Sequence, residues 1–209
     1  FFFFSFAAEY GNALSGVFDL KLRKGNNERK EYSFQAGVLG LNAAAEGPIS
    51  AFYKGSYLIN YRYSTLSVLN KLGVLSEGSV TNFQDLSYNI ALPTRKFGDF
   101  TLFGFGGLSN DKFEAKKDSS TWKEPFDREI SKFISNTGMT GITHSILLGS
   151  KTNLRSAVGV SYNTLSYNEH YIEDDYTISE EYRGKYNTRK STVSSTLNHR
   201  FNNKHTLRI

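Results

Sequence analysis

The side chains of this 209-residue chain that carry chemistry are scattered along it. His144, His170, His199 and His205 show no ligand spacing, so no metal site is expected from them. The chain has no cysteine, which excludes disulfides and thiolate-ligated zinc or iron–sulfur centres. Phe103–Ser109 (FGFGGLS) has some of the glycines of a phosphate-cradling loop. It lacks the third glycine and the strand-then-helix setting, so close packing within a strand is the plainer reading. There is no G-x-S-x-G elbow, no H-E-x-x-H and no convincing Ser/His/Asp set. The sequence therefore offers no catalytic hypothesis and no cofactor, and the expectation is that the protein is not an enzyme.

Two polar regions remain as candidates for binding. Glu169, Glu173, Asp174, Asp175, Glu180 and Glu181 crowd around His170. They suit a calcium or cationic ligand, or simply a solvated external loop. Trp122, with Phe126 nearby, has the ring to stack on a sugar or an aromatic ligand. Trp122, Glu173, Asp174 and Asp175 are the candidate ligand contacts of the external loops. Glu46, Asn60 and Arg62 sit inside strand-like stretches. In a barrel they face the interior, because a charge facing lipid near the midplane costs about 2–4 kcal/mol. Partners for Glu46 and Arg62 are each other, or Lys21 and Arg23.

The elements that carry these residues read as strands. Successive strand side chains point to opposite faces, so strict alternation marks a two-faced strand. Tyr57, Ile59, Tyr61 and Tyr63 share one face, against Ser56, Asn60, Arg62 and Ser64, with Leu58 as the exception. Leu86, Tyr88, Ile90 and Leu92 alternate with Asp85, Ser87 and Asn89. Leu154, Val158, Val160 and Tyr162 alternate with Arg155, Gly159, Ser161 and Asn163. Val193 and Leu197 continue the theme. Short, turn-forming connections fall at Gly47–Gly55, Pro93–Asp99, Ser150–Asn153 and Asn202–Lys204. Between them lie long polar stretches: Ser67–Asn82, Asn110–Ser131 and His170–Glu181. Short turns on one side and long loops on the other are the signature of an outer-membrane barrel. The best helical stretch, Leu66–Leu75, is broken by Gly73 and suits one short turn within a loop.

Composition agrees without deciding. No apolar run approaches the roughly 18 residues of a transmembrane helix; the longest, Phe1–Ala8, is interrupted by Ser5. Mean hydropathy of −0.42 suits a soluble protein or a membrane barrel, whose two faces cancel in any average. The net charge is +5, but the cations are spread along strands and loops, so no nucleic-acid partner is expected. Basic residues of the external loops are instead candidates for contact with anionic lipopolysaccharide.

Glu9–Asn26 reads EYGNALSGVFDLKLRKGN, a glycine-punctuated turn followed by a strand that ends in basic residues. It resembles the last plug strand of TonB-dependent outer-membrane receptors. Phe34–Ile49 and Gly55–Leu69, with their AAEGP and SYLxxYRYS pieces, resemble the first barrel strands of the Bacteroidetes-type receptors. The resemblance covers about the first 70 residues. It implies that Tyr10, Gly11, Asn12, Gly16, Lys21 and Arg23 form the plug-end turn and strand. It implies residues 1–29 as the end of a plug and 30–209 as the first part of a transmembrane β-barrel. The expected fold is all-β: an antiparallel, up-and-down barrel segment of about nine strands, preceded by the plug strand. A receptor barrel of about 22 strands would need more chain, so both ends are expected to be cut. The implied function is energised uptake of a large or scarce solute (siderophore, glycan, cobalamin or peptide). The implied partners are outer-membrane lipid, the solute, and the TonB complex acting through a plug region missing here. The alternative is a soluble or surface-exposed all-β module that binds carbohydrate.

Overall fold

The computed structural model describes residues 20–38, 40–66, 69, 80–116 and 118–209. They form one antiparallel sheet of nine strands in sequence order. The strands are β1 (Glu31–Gly37), β2 (Gly40–Ser50), β3 (Tyr53–Tyr63), β4 (Val80–Pro93), β5 (Asp99–Phe113), β6 (Glu129–Leu147), β7 (Thr152–Ile172), β8 (Ile178–Arg200) and β9 (Thr206–Arg208). β1 and β9 are the two edges, so the sheet is up-and-down but not closed into a barrel.

Register joins the alternating residues into two unlike faces. Directly opposed residues share a face. Tyr57 opposes Ile90, which opposes Leu102, then Ile142, Val158 and Val193 in turn. The next row of the other face runs through Glu46, Leu58, Asn89, Phe103, Gly141, Gly159 and Thr192. The first face is aliphatic and aromatic through its middle. The second is mostly Ser, Thr, Asn, Gly and charged residues.

The apolar face is bare. Val158, Val160 and Ile142 are each more than half exposed, and Val193 is 76% exposed. Among the described residues Ala91 is the one buried apolar side chain. A soluble chain of this size buries well over half of its unfolded surface around a core. Here the sheet has two faces, and among the described residues nothing covers the apolar one.

The connections depart from the sequence-based expectation on the long-loop side, where residues 38–39 alone join β1 to β2. Residues 51–52, 94–98, 148–151 and 201–205 make the short side, as the turn chemistry predicts. On the other side His170–Glu181 is mostly strand, not loop: β7 and β8 run 21 and 23 residues and leave only 173–177 between them. Asn110–Phe113 and Glu129–Ser131 likewise belong to β5 and β6. The ladder between β6 and β7 runs unbroken from Glu129↔Tyr171 to Leu147↔Asn153. Residues at these strand ends are mostly polar and break strict alternation, so in sequence they look like loop. The helical stretch from Leu66 lies mostly outside the described residues; the Leu69 N–H donates to the Thr65 carbonyl at 3.1 Å.

Candidate functional site

The polar face carries a second layer of chain. Residues 20–26 belong to no strand and lie across β2 to β5. Arg23 donates both Nη atoms to Glu46 on β2, at 2.7 and 2.6 Å. The Asn26 N–H donates to the same carboxylate at 2.8 Å. The Leu22 carbonyl accepts from Asn89 Nδ2 on β4 at 3.1 Å. Lys24 Nζ lies 3.8 Å from Asp99 at the start of β5. Gly25 sits so close to β3 that a Cβ there would fall 2.1 Å from the Tyr57 carbonyl oxygen, so only glycine fits. The two-pronged guanidinium–carboxylate pair is the strongest of these contacts, because both bonds are charge-assisted and their geometry is fixed.

The sequence-based candidates can now be placed. Tyr10, Gly11, Asn12 and Gly16, with the turn they were expected to form, lie outside the described residues. Lys21 and Arg23 lie in the crossing segment, where the described part has no strand ladder. Glu46 meets Arg23 rather than Arg62. Arg62 is directly opposed by Asp85 and pairs with it at 2.7 Å. Asn60 shares the polar face, and its Oδ1 is buried without a hydrogen-bond partner. Asn42 and Asn89 have Oδ1 atoms in the same condition. The wall beside the crossing segment thus presents three unused amide acceptors, an unusual cost for buried polar atoms. A cleft of about 350 Å³ between segment and sheet is lined by Lys24, Gly25, Asn27, Lys54, Ser56, Ala91 and Pro93.

The external-loop candidates form a clasp between the β5–β6 and β7–β8 connections. Arg128 pairs with Asp174 at 2.6 Å and stands over the Trp122 ring, 4.9 Å from its centroid. Tyr176 packs against the indole, with centroids 5.9 Å apart, and donates to Ser119. The indole N–H is itself donated to the Lys116 carbonyl at 2.9 Å. Trp122 is thus engaged in holding two loops together. Glu173 accepts from Ser179 at 2.6 Å, and Asp175 accepts from Thr177 to shape the turn. Among the described residues no group of three His, Asp or Glu is placed to hold a metal ion.

Asp127, which the sequence reading missed, is the anchor of this clasp and is 1% exposed. Lys116 lies 2.8 Å away, and the Lys123 and Glu124 N–H groups donate to its carboxylate. Glu124, with Pro125 in the first turn and Asp127 three residues on, completes a reciprocal capping box. That local pattern was readable in the sequence.

The Lys116 ammonium, then these N–H donors, lower the Asp127 pKa from 3.8 to about 2. A lowered carboxylate pKa stabilises the fold above the unfolded value and loses that contribution as pH falls through the folded one. Emission from Trp122, the sole tryptophan, is therefore expected to hold steady down to about pH 4 and to shift between there and about pH 2. Asp127→Asn is expected to give the shifted emission already at pH 7 and to abolish the acid transition.

Comparison with models of protein families, with curated proteins and with solved structures finds no match.

Proposed function

We propose that this chain is wall and plug-end of an outer-membrane receptor of the TonB-dependent kind, which takes up a large or scarce solute under energy from the inner membrane. The observation that carries the proposal is the division of labour between the faces. One is apolar and uncovered by any described residue; the other is polar and already crossed by residues 20–26, held by Arg23 and Glu46. A lipid-facing wall with a plugged interior has this arrangement.

Two further features support it. The apolar zone drifts across the sheet. On β3 it runs from Tyr57 toward the loops. On β8 it runs from Val193, in the same row, toward the short turn at 201–205. A horizontal lipid belt crossing tilted strands drifts in this way. The short turns also carry exposed apolar residues: Phe52, Phe97, Leu148 and Phe201. Beside them Phe100 stacks on His144 and His199 meets Phe201 edge-on. Rings at this level suit the girdle where a barrel meets the membrane–water boundary. The open edges at β1 and β9 call for pairing, with further strands or with a second copy of the sheet, since lipid cannot satisfy unpaired backbone groups.

In this reading the polar wall, with its unused Asn42, Asn60 and Asn89 oxygens, borders the solute path, and the loops at the far end meet the solute first. The purified chain is expected to keep its β signal by circular dichroism only in detergent or phosphatidylcholine vesicles. Cooperative folding as a monomer in plain buffer overturns the membrane reading and favours a soluble binding module.

A further inference from the structure

We infer that the outward face of β5–β8 carries a binding site for the phosphate-bearing headgroup of an anionic lipid, with a trough beneath it for an acyl chain. The inference rests on the membrane reading and adds a specific ligand class to it. Its first observation is a like-charge juxtaposition. Lys112 on β5 directly opposes Lys132 on β6, on the same face as Leu108 and Ile134. Cβ atoms of opposed residues lie about 5 Å apart, and like charges there are destabilising. Both lysines are exposed. Lys132 opposes Asn168, which opposes Arg183, so the row continues as two cations, an amide and a third cation. Lys185, also exposed, follows on the same face of β8.

Glu180 meets the end of this row, where Arg183 takes it at 2.5 Å. Among the described residues Lys112, Lys132 and Lys185 form no ion pair with an acid. Two opposed ammonium groups share a phosphate well, since each donates to different oxygens of one dianion and the repulsion between them becomes attraction to a common centre. An anionic lipid surface attracts each nearby lysine or arginine.

The second observation is the surface below. Where the cations end, the face becomes apolar and opens into a trough of about 970 Å³. Its floor is Gly106 and Gly138, which oppose each other directly. A Cβ on Gly138 would touch nothing within 4 Å. Leu86, Leu108, Val160 and Tyr162 line it. Arg189 stands at its rim over the Tyr162 ring, 5.6 Å from the centroid. Cations above an apolar slot match, in order, the phosphate and hydrocarbon of one lipid.

The test is native mass spectrometry of the detergent-solubilised chain with lipid A, phosphatidylcholine or inorganic phosphate added. Lipid A is expected to be retained at least about tenfold more tightly than phosphatidylcholine, and the triple variant K112Q/K132Q/K185Q to lose that advantage. The charge-preserving K112R/K132R/K185R variant is expected to keep it, which separates loss of charge from loss of fold. Equal retention of lipid A by the wild type and the glutamine variant overturns the site. So does equal retention of the two lipids by the wild type; either result leaves the membrane reading standing. If inorganic phosphate displaces lipid A in equimolar amounts, the occupant is the free anion and the lipid assignment fails. A chain that folds in plain buffer and retains neither lipid overturns both the site and the membrane reading.

Discussion

Val158→Arg is expected to abolish stable association of the chain with phosphatidylcholine vesicles, while Ala157→Arg on the same strand leaves it intact. Val158 is central in the apolar stretch of β7, between Leu154 and Tyr162, and is 54% exposed. If lipid covers that face, an arginine there lies near the midplane and costs about 2–4 kcal/mol. That is a large fraction of a typical stability of about 5–15 kcal/mol. Ala157 points the other way, opposed by Thr143 and Ser194, where a cation meets hydroxyl groups. Flotation of vesicles with bound protein measures the difference, and urea titration in the presence of vesicles gives its size. The control is informative because the two positions share strand, depth and neighbours in sequence, and differ only in face. Equal effects at both positions would mean that lipid does not cover the Val158 face. A stronger effect of Ala157→Arg would assign the buried side to the polar face and reverse the proposed orientation.

Much of the wall was legible because a strand writes its two faces into alternate residues. Tyr57 to Tyr63 and Leu86 to Leu92 needed nothing but period to be placed. Leu58 broke the period for a reason the sequence does not hold. It lies on the polar face where Gly25 approaches the β3 backbone, so a covering segment makes an apolar residue acceptable there. Partner choice was not legible either. Period put Glu46, Asn60 and Arg62 on one face, but register decided the pairs. Arg62 falls opposite Asp85, and Glu46 opposite Leu58, which leaves its carboxylate free to take Arg23 from outside the sheet. The great length of β7 and β8 was legible, since the strand pattern runs from Asn153 to Tyr171 and from Tyr182 to Phe201; the start of β8 at Ile178 was not, because the acidic stretch before Tyr182 looks like loop. The external clasp was hidden for a different reason: Arg128 and Asp174 lie far apart in sequence, and only the long hairpins bring their tips together.

Glu46→Gln is expected to release residues 20–26 from the wall, with trypsin cutting after Arg23 and Lys24 about tenfold faster or more. The reason lies in how much of the crossing segment converges on one carboxylate. Both Arg23 prongs and the Asn26 N–H use Glu46, whereas Leu22 and Lys24 contribute one weaker contact each. An amide keeps the size of the side chain but supplies one acceptor where three donors compete, and it removes the charge that makes those bonds short. Arg23 is 64% exposed and finds water when released, so the cost falls on the docking of the segment rather than on the sheet. Asp85→Asn is the matched control: it breaks the Arg62 pair, which joins two strands already held by a ladder, and is expected to leave cleavage after Arg23 and Lys24 unchanged. Mass spectrometry of the early fragments reads both results. If Glu46→Gln leaves these sites as protected as in the wild type, Gly25 packing and the Asn89 contact hold the segment by themselves, and Glu46 is no lock. If the sites open, one carboxylate on the wall governs whether the segment covers the polar face. In the proposed receptor, that face borders the path the solute must take.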